Sequence, residues 1–310
     1  MNIGYRRVSG KIGLTSFELG QRGSWVEKRI ALINYLKSKN HTISFLSSFT
    51  DETKSFVKNN VEDYNLLILE FGRNNLLQNG KDWEQTNAIV KKHIGHIIFI
   101  CDDPDLSYHW NMLKNEDFSR WTILVNAKNK ESCKKALKIP DKARILDIPF
   151  HHFLKKSNFS NSKIPNVVYI GNSSGRNKIF QNLTLSKHLI ISGRAKEWLD
   201  YPNLRLTIMP QQKDRMQFYK MFYGCLAVCD NKHNETQWRT GRAYHGLHSG
   251  IPVLTIKGNL ALNWGYNISN YQEIDSFITL SNEKRQEIYA KQSEIAQNDK
   301  GDIEKLDEIF

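Results

Sequence analysis

The chain has 310 residues, 40 % of them apolar and 25 % charged, with seven Trp, twelve Tyr and fifteen Phe. That is room for two domains, and it excludes a chain too polar to build a core. Its 44 Lys and Arg against 32 Asp and Glu leave a net charge of +12, which favours a polyanion or an anionic ligand as partner.

The elements alternate from the start. Residues 2–8 read as a strand, and a Gly-rich loop with Gly10, Gly13, Gly20 and Gly23 follows. Ser24 then caps a helix in which Trp25, Ile30, Ile33, Tyr35 and Leu36 recur at helical spacing. Strands are expected at His41–Leu46, Leu66–Phe71, Ile97–Cys101, Ile123–Asn126 and Ile145–Ile148, with a short helix opening at Asp51 and another over 82–93. Leu66–Phe71 is almost wholly apolar, as a strand covered on both faces requires. Residues 151–163, HHFLKKSNFSNSK, are polar and basic and read as a linker. The pattern then restarts with strands at Val167–Ile170 and Leu189–Ser192 and helices over 177–187 and 212–223. Thr207–Pro210 is an edge or turn. In residues 225–256 an apolar run ends at Cys229-Asp230, a polar loop follows, a helix runs from Arg239 to His248, Ser249-Gly250 stops it, and Ile251–Ile256 forms a strand. The last forty residues, rich in Lys, Glu and Gln, read as surface helices.

This order predicts an α/β protein with two doubly wound domains, 1–150 and 164–310. The last helix is a candidate to pack back on the first domain. Ligands of such sheets bind beyond the carboxyl ends of the strands. Loops 9–24, 72–80, 102–110, 171–178 and 229–241 are all expected at such ends, lining one cleft if the domains face each other. Cys101, Cys133, Cys225 and Cys229 lack CxxC spacing and read as buried free thiols. MNIGYRRVSG lacks the apolar segment of a signal peptide, and no run reaches membrane-spanning length, so a cytoplasmic protein with no membrane partner is expected.

Arg239 and Arg242 are expected in the first turn of their helix, where the dipole and unpaired N–H groups favour an anion, with two arginines on a solvated helix face as the alternative. GNSSGRNK, residues 171–178, is a strand-to-helix turn with backbone N–H groups, Arg176 and Lys178 to offer a phosphate. It has neither P-loop nor GxGxxG spacing, so a plain connection is the alternative. Asp102 and Asp103 close a strand of the first domain, suited to take a proton from an alcohol, to cap a helix over 106–114 or to ligate a metal. Arg73, Asn74 and Asn75, with Tyr108 and Trp110, offer the basic and aromatic groups that a nucleic acid acceptor needs. Leu76 and Leu77 offer a wedge for an extruded base, whereas the core is the commoner place for Tyr108 and Trp110.

IIFICDD (97–103), VVYIGNSSGR (167–176) and RAYHGLHSGIPVL (242–254), with EFGRNNLLQNGKDW (70–83), resemble segments of the bacteriophage DNA β-glucosyltransferase family. The resemblance implies a GT-B fold, two Rossmann-like domains facing a central cleft, and inverting transfer of glucose from UDP-glucose to 5-hydroxymethylcytosine in double-stranded DNA. It implies Asp103 as catalytic base and Arg242 as a pyrophosphate ligand. Gly171, Ser173, Ser174, Arg176, Lys178, His233, Arg239 and His245 complete the expected donor site. A family glutamate for the ribose hydroxyls falls on His245, and a family tyrosine near the uracil or sugar falls on His233. These departures leave UDP-arabinose or another pentose donor beside UDP-glucose. No tightly bound cofactor is implied; a divalent Mg or Mn at the diphosphate is an option, and a monomer in the host cytoplasm is expected. A GT-B enzyme with a non-DNA acceptor and a non-enzymatic DNA-binding protein are the alternatives.

Overall fold

A computed structural model describes residues 1–8, 24–46, 64–71, 87–101, 104, 108, 110, 113, 115–153, 157–173, 176–201, 205–207 and 214–310. The chain forms two compact units. Met1–Gln21, Trp25–Phe153 and Lys300–Phe310 make the first, and Arg22–Ser24 and Leu154–Asp299 make the second.

The first unit contains β1 (Asn2–Val8), α1 (Ser24–Ser38), β2 (Thr42–Leu46), β3 (Leu66–Phe71), β4 (His96–Ile100), β5 (Trp121–Val125), α2 (Lys130–Leu137) and β6 (Arg144–Asp147). The strands pair in the order β2-β1-β3-β4-β5-β6, all parallel. Leu66–Leu69 and Ile97–Phe99 are no more than 1 % exposed, because helices and loops cover both faces of such a sheet. Alternate side chains part company. Ile68, Ile98, Leu124 and Leu146 meet Leu32 and Leu36 of α1. Phe99 instead meets Tyr108 and Trp110, at ring-centroid distances of 5.3 and 4.8 Å.

The second unit runs β7 (Ile164–Ile170), α3 (Asn177–Leu183), β8 (Leu189–Ser192), β9 (Arg205–Thr207), α4 (Arg215–Lys220), β10 (Phe222–Ala227), α5 (Asn231–Glu235), α6 (Gly241–His248), β11 (Val253–Ile256), β12 (Tyr266–Ile268), α7 (Tyr271–Ile278) and α8 (Asn282–Asn298). Its parallel sheet has the order β9-β8-β7-β10-β11-β12. The chain therefore reverses direction across the sheet between β7 and β10, which opens a crevice at their carboxyl ends. On one face Val168, Cys225 and Val253 pack under α6, and on the other Val167, Leu226 and Leu254 pack under α3 and α7. Gly246 brings α6 close to β10, since a Cβ there would lie 2.1 Å from Cys225 Sγ. The helix ends as Ser249-Gly250 suggested. Gly250 has φ +81°, its N–H bonds Leu247 O, and Ile251 N–H bonds Gly246 O, the paired bonds of a left-handed helix stop.

Three readings of the sequence are corrected. The helix expected over 212–223 ends at Lys220, because Phe222–Ala227 pairs with β7 and β11 as a central strand. The polar loop after Asp230 contains the short helix α5. The last forty residues are not merely a surface layer. In α8, Arg285, Tyr289, Gln292 and Ala296 are buried along one face, and Gln292 bonds both the N–H and the C=O of Val253 at 2.8 Å. Beyond α8, α9 (Ile303–Asp307) places Leu306 in the core of the first unit. All four cysteines are free and buried. Burial pushes the Cys133 thiol up to about 12 and Cys229 to about 11, which makes them poor nucleophiles. Among the described residues no helix is long and apolar enough to cross a membrane.

Candidate functional site

The crevice of the second sheet is built from the ends of β7 and β10 and the start of α6. β7 ends at Ile170, and Gly171 follows with φ +148°, a conformation that suits glycine. A Cβ there would lie 2.6 Å from Nη2 of Arg242, so the missing side chain is what admits the guanidinium. Arg242 is the second residue of α6, which starts at Gly241 after the extended cap residue Thr240. Its Nε donates to Ile170 O at 2.6 Å, and its guanidinium carbon lies 5.1 Å from the centroid of the Tyr169 ring. The half-buried cation is thus latched to the end of β7 beside a helix N-terminus, an arrangement that receives an anion.

Asp230 ties the other side of the crevice together. It caps α5 by accepting the N–H of His233 at 3.0 Å, and the same Oδ1 lies 2.7 Å from His233 Nδ1. Its Oδ2 accepts Arg176 Nη2 at 2.8 Å, while Arg176 Nε donates to Val228 O at 3.1 Å. The loop after β7 is thereby fastened to the loop after β10. Burial opposes ionisation of Asp230, but hydrogen bonds from His233 and the nearby Arg176 outweigh it. They hold the carboxyl well below the usual carboxylate range.

The other expected donor residues part into groups. Gly171, Arg176, His233 and Arg242 come together at this crevice. Ser173 is buried and donates to Glu197 O at 2.8 Å, and Lys178 is an exposed residue of α3. His245 is buried on α6, with its ring 6.3 Å from that of Tyr219. Arg239 corrects the reading that placed it in the first turn of the helix. It precedes α6, is 1 % exposed, and gives Nε and Nη2 to the two oxygens of Asp299 at 2.8 and 2.7 Å. A guanidinium enclosed in that fork-shaped pair is a structural anchor rather than a phosphate ligand.

In the first unit, Tyr108 and Trp110 lie in the core as 6 % and 7 % exposed side chains, and the indole N–H of Trp110 is used on Leu137 O at 3.0 Å. Their place in the aromatic cluster replaces the expected acceptor role. Asp102, Asp103, Arg73, Asn74, Asn75, Leu76, Leu77 and Ser174 lie outside the described residues. Sequence reasoning passed over Asp230 as a functional group. The available signal was its position directly after an apolar strand and three residues before His233, the spacing of a helix cap.

No family model and no curated protein matches the sequence. Solved structures do match the fold. A DNA-modifying β-glucosyltransferase, solved with and without its substrate uridine diphosphoglucose, superposes with a TM-score of 0.72 at 16 % identity, over 96 % of this chain and 94 % of that one. The β-glucosyltransferase of T4 phage bound to its substrate UDP-glucose gives a TM-score of 0.72 at 16 % identity, over 96 % of this chain and 95 % of that one. With two six-stranded parallel sheets, the fold is GT-B.

Proposed function

We propose that the protein is a glycosyltransferase that moves a sugar from a UDP-sugar to 5-hydroxymethylcytosine in double-stranded DNA. The observation that carries this reading is the latched Arg242 at the crevice between β7 and β10, on a frame shared with an enzyme that uses UDP-glucose and modifies DNA. A GT-B sheet binds its ligand at that crevice, and the cation meets the charge of a leaving diphosphate. The net charge of +12 supports a nucleic acid acceptor.

In this mechanism the hydroxymethyl oxygen attacks the anomeric carbon as the carboxylate of Asp103 takes its proton. The bond from that carbon to the diphosphate breaks, with inversion, and Arg242 stabilises the departing charge. His233 contacts the uridine or the sugar, and Arg73, Asn74 and Asn75 contact DNA; the buried His245 supports α6 from within the core. A divalent Mg or Mn at the diphosphate is compatible with this scheme, and loss of turnover on chelation would report it.

The test is to incubate the protein with hydroxymethylcytosine DNA and a set of UDP-hexoses and UDP-pentoses, then to weigh the nucleosides. The expected product is 5-hydroxymethyl-2′-deoxycytidine heavier by one sugar residue. Unaltered nucleosides with every donor, together with salt-sensitive DNA binding, would leave a DNA-binding protein. Donor binding without affinity for DNA would instead indicate another acceptor. Asp103→Asn is expected to lower turnover by about 10²–10⁴-fold while UDP and DNA still bind. Equal turnover by that variant removes Asp103 from the mechanism.

A further inference from the structure

We propose that Asp230 is a positioning residue for the nucleotide-sugar: it turns Nδ1–H of His233 toward itself and so presents Nε2 as a hydrogen-bond acceptor for a ligand hydroxyl. The proposal rests on the donor site argued above and adds to it a residue that does not itself touch the ligand.

The geometry fixes the tautomer. An ionised carboxylate only accepts, so His233 Nδ1, 2.7 Å from Asp230 Oδ1, must be the donor. At a pH where the ring is neutral, the condition of the test below, Nε2 is then bare. The ring cannot easily turn away, because the main chain of His233 is held at both ends. Its N–H is on Asp230 Oδ1, and its C=O accepts the N–H of Trp238 at 2.8 Å. Asp230 is itself held, since its second oxygen is on Arg176. Among the described residues Nε2 has no protein partner and is not a sealed polar atom, and the side chain keeps 11 % exposure. It stands in the first turn of α5, which follows the carboxyl end of β10, where ligands of such sheets bind. A diphosphate offers only acceptor oxygens and does not satisfy a bare Nε2. A hydroxyl of the ribose or of the transferred sugar does.

Long-range ¹H–¹⁵N spectra of the histidine rings in the full chain test this directly. The free protein should show His233 with Nδ1–H and a bare Nε2. UDP-glucose should shift the Nε2 signal. A matching shift with UDP, lost with 2′,3′-dideoxy-UDP, assigns the hydroxyl to the ribose. A shift with UDP-glucose alone assigns it to the sugar. Asp230→Asn keeps an oxygen for the helix cap but no longer dictates the tautomer. It should weaken UDP-glucose binding by about tenfold. In a His233→Gln background the amide oxygen accepts without that carboxylate, and the same change should cost less than about twofold.

A free His233 ring with Nε2–H and a bare Nδ1, or an equal loss from Asp230→Asn in both backgrounds, overturns the role of Asp230. Binding of UDP-glucose with an unmoved Nε2 signal overturns the hydroxyl contact. A protein that shows the assigned tautomer but binds neither UDP nor UDP-glucose overturns the donor reading itself, and the ligand named here with it.

Discussion

Asp230 of the second unit and Asp302 of the first are two carboxylates in similar electrostatic straits with different work. Burial opposes ionisation of both, and hydrogen bonds with nearby cations overcome it, lowering Asp302 to about 2 and Asp230 likewise well below the ordinary range. Asp302 spends its oxygens on Lys305 at 2.7 Å, Lys130 at 2.9 Å and the N–H of Asp147 at 2.9 Å. Those partners hold α9 to the end of β6. Asp230 spends its oxygens on an imidazole and a buried arginine at a sheet crevice, and the imidazole has a second nitrogen to use. A displaced titration therefore does not by itself mark a functional site. What the partner can still do marks it.

That contrast can be broken in several ways. The largest expected effect in the crevice comes from Arg242→Ala. If Arg242 holds the diphosphate as proposed, its loss should raise the KM for the UDP-sugar by roughly thirtyfold, with DNA affinity unchanged. Steady-state kinetics at fixed DNA would show it, and an unaltered donor KM would detach the second sheet from the chemistry. Asp302→Ala should do the reverse. It leaves the donor KM alone and lowers stability by roughly 2 kcal/mol, because the N–H of Asp147 and two lysines lose their acceptor. Urea unfolding followed beside the kinetic assay separates the two outcomes, and a changed KM would erase the distinction.

The smallest effect is the dependence on acid. The folded pKa of Asp302 lies below its unfolded value, so its stabilising contribution is complete above about 3.9 and is lost as pH falls toward about 2. The stability difference between the protein and its Asp302→Asn variant should shrink across that window. A difference that grows with acid would contradict the assignment.

Much of the frame was legible because its signals are local. Leu66–Phe71 is apolar but for Glu70, and the strand before Cys101 is apolar after His96, as a sheet covered on both faces requires. Gly250 announced the end of α6 by its own conformational freedom. What was missed depends on residues far apart in sequence. Arg239 looked like a phosphate ligand because nothing near it identifies Asp299, sixty residues on, as its partner. Trp110 looked available until Phe99 and the carbonyl of Leu137 were seen around it. The start of β10 at Phe222 follows from pairing with β7, and its pattern by itself continues the preceding helix. At the crevice, Gly171 and Arg242 were each expected, but the reason one requires the other appears only when the missing Cβ is set against the guanidinium.

The pair between Arg239 and Asp299 has a bearing on how the second unit keeps its aim. Arg239 leads directly into the turn that starts α6, and Asp299 directly follows α8. The bearing of Arg242 is thus indexed by a residue close to the other end of the chain. Asp299→Ala, remote from any nucleotide, should blunt donor recognition while the sheet stays folded. The placement of Arg242 would then depend on a position fifty-seven residues further along the sequence, which no inspection of the crevice would single out.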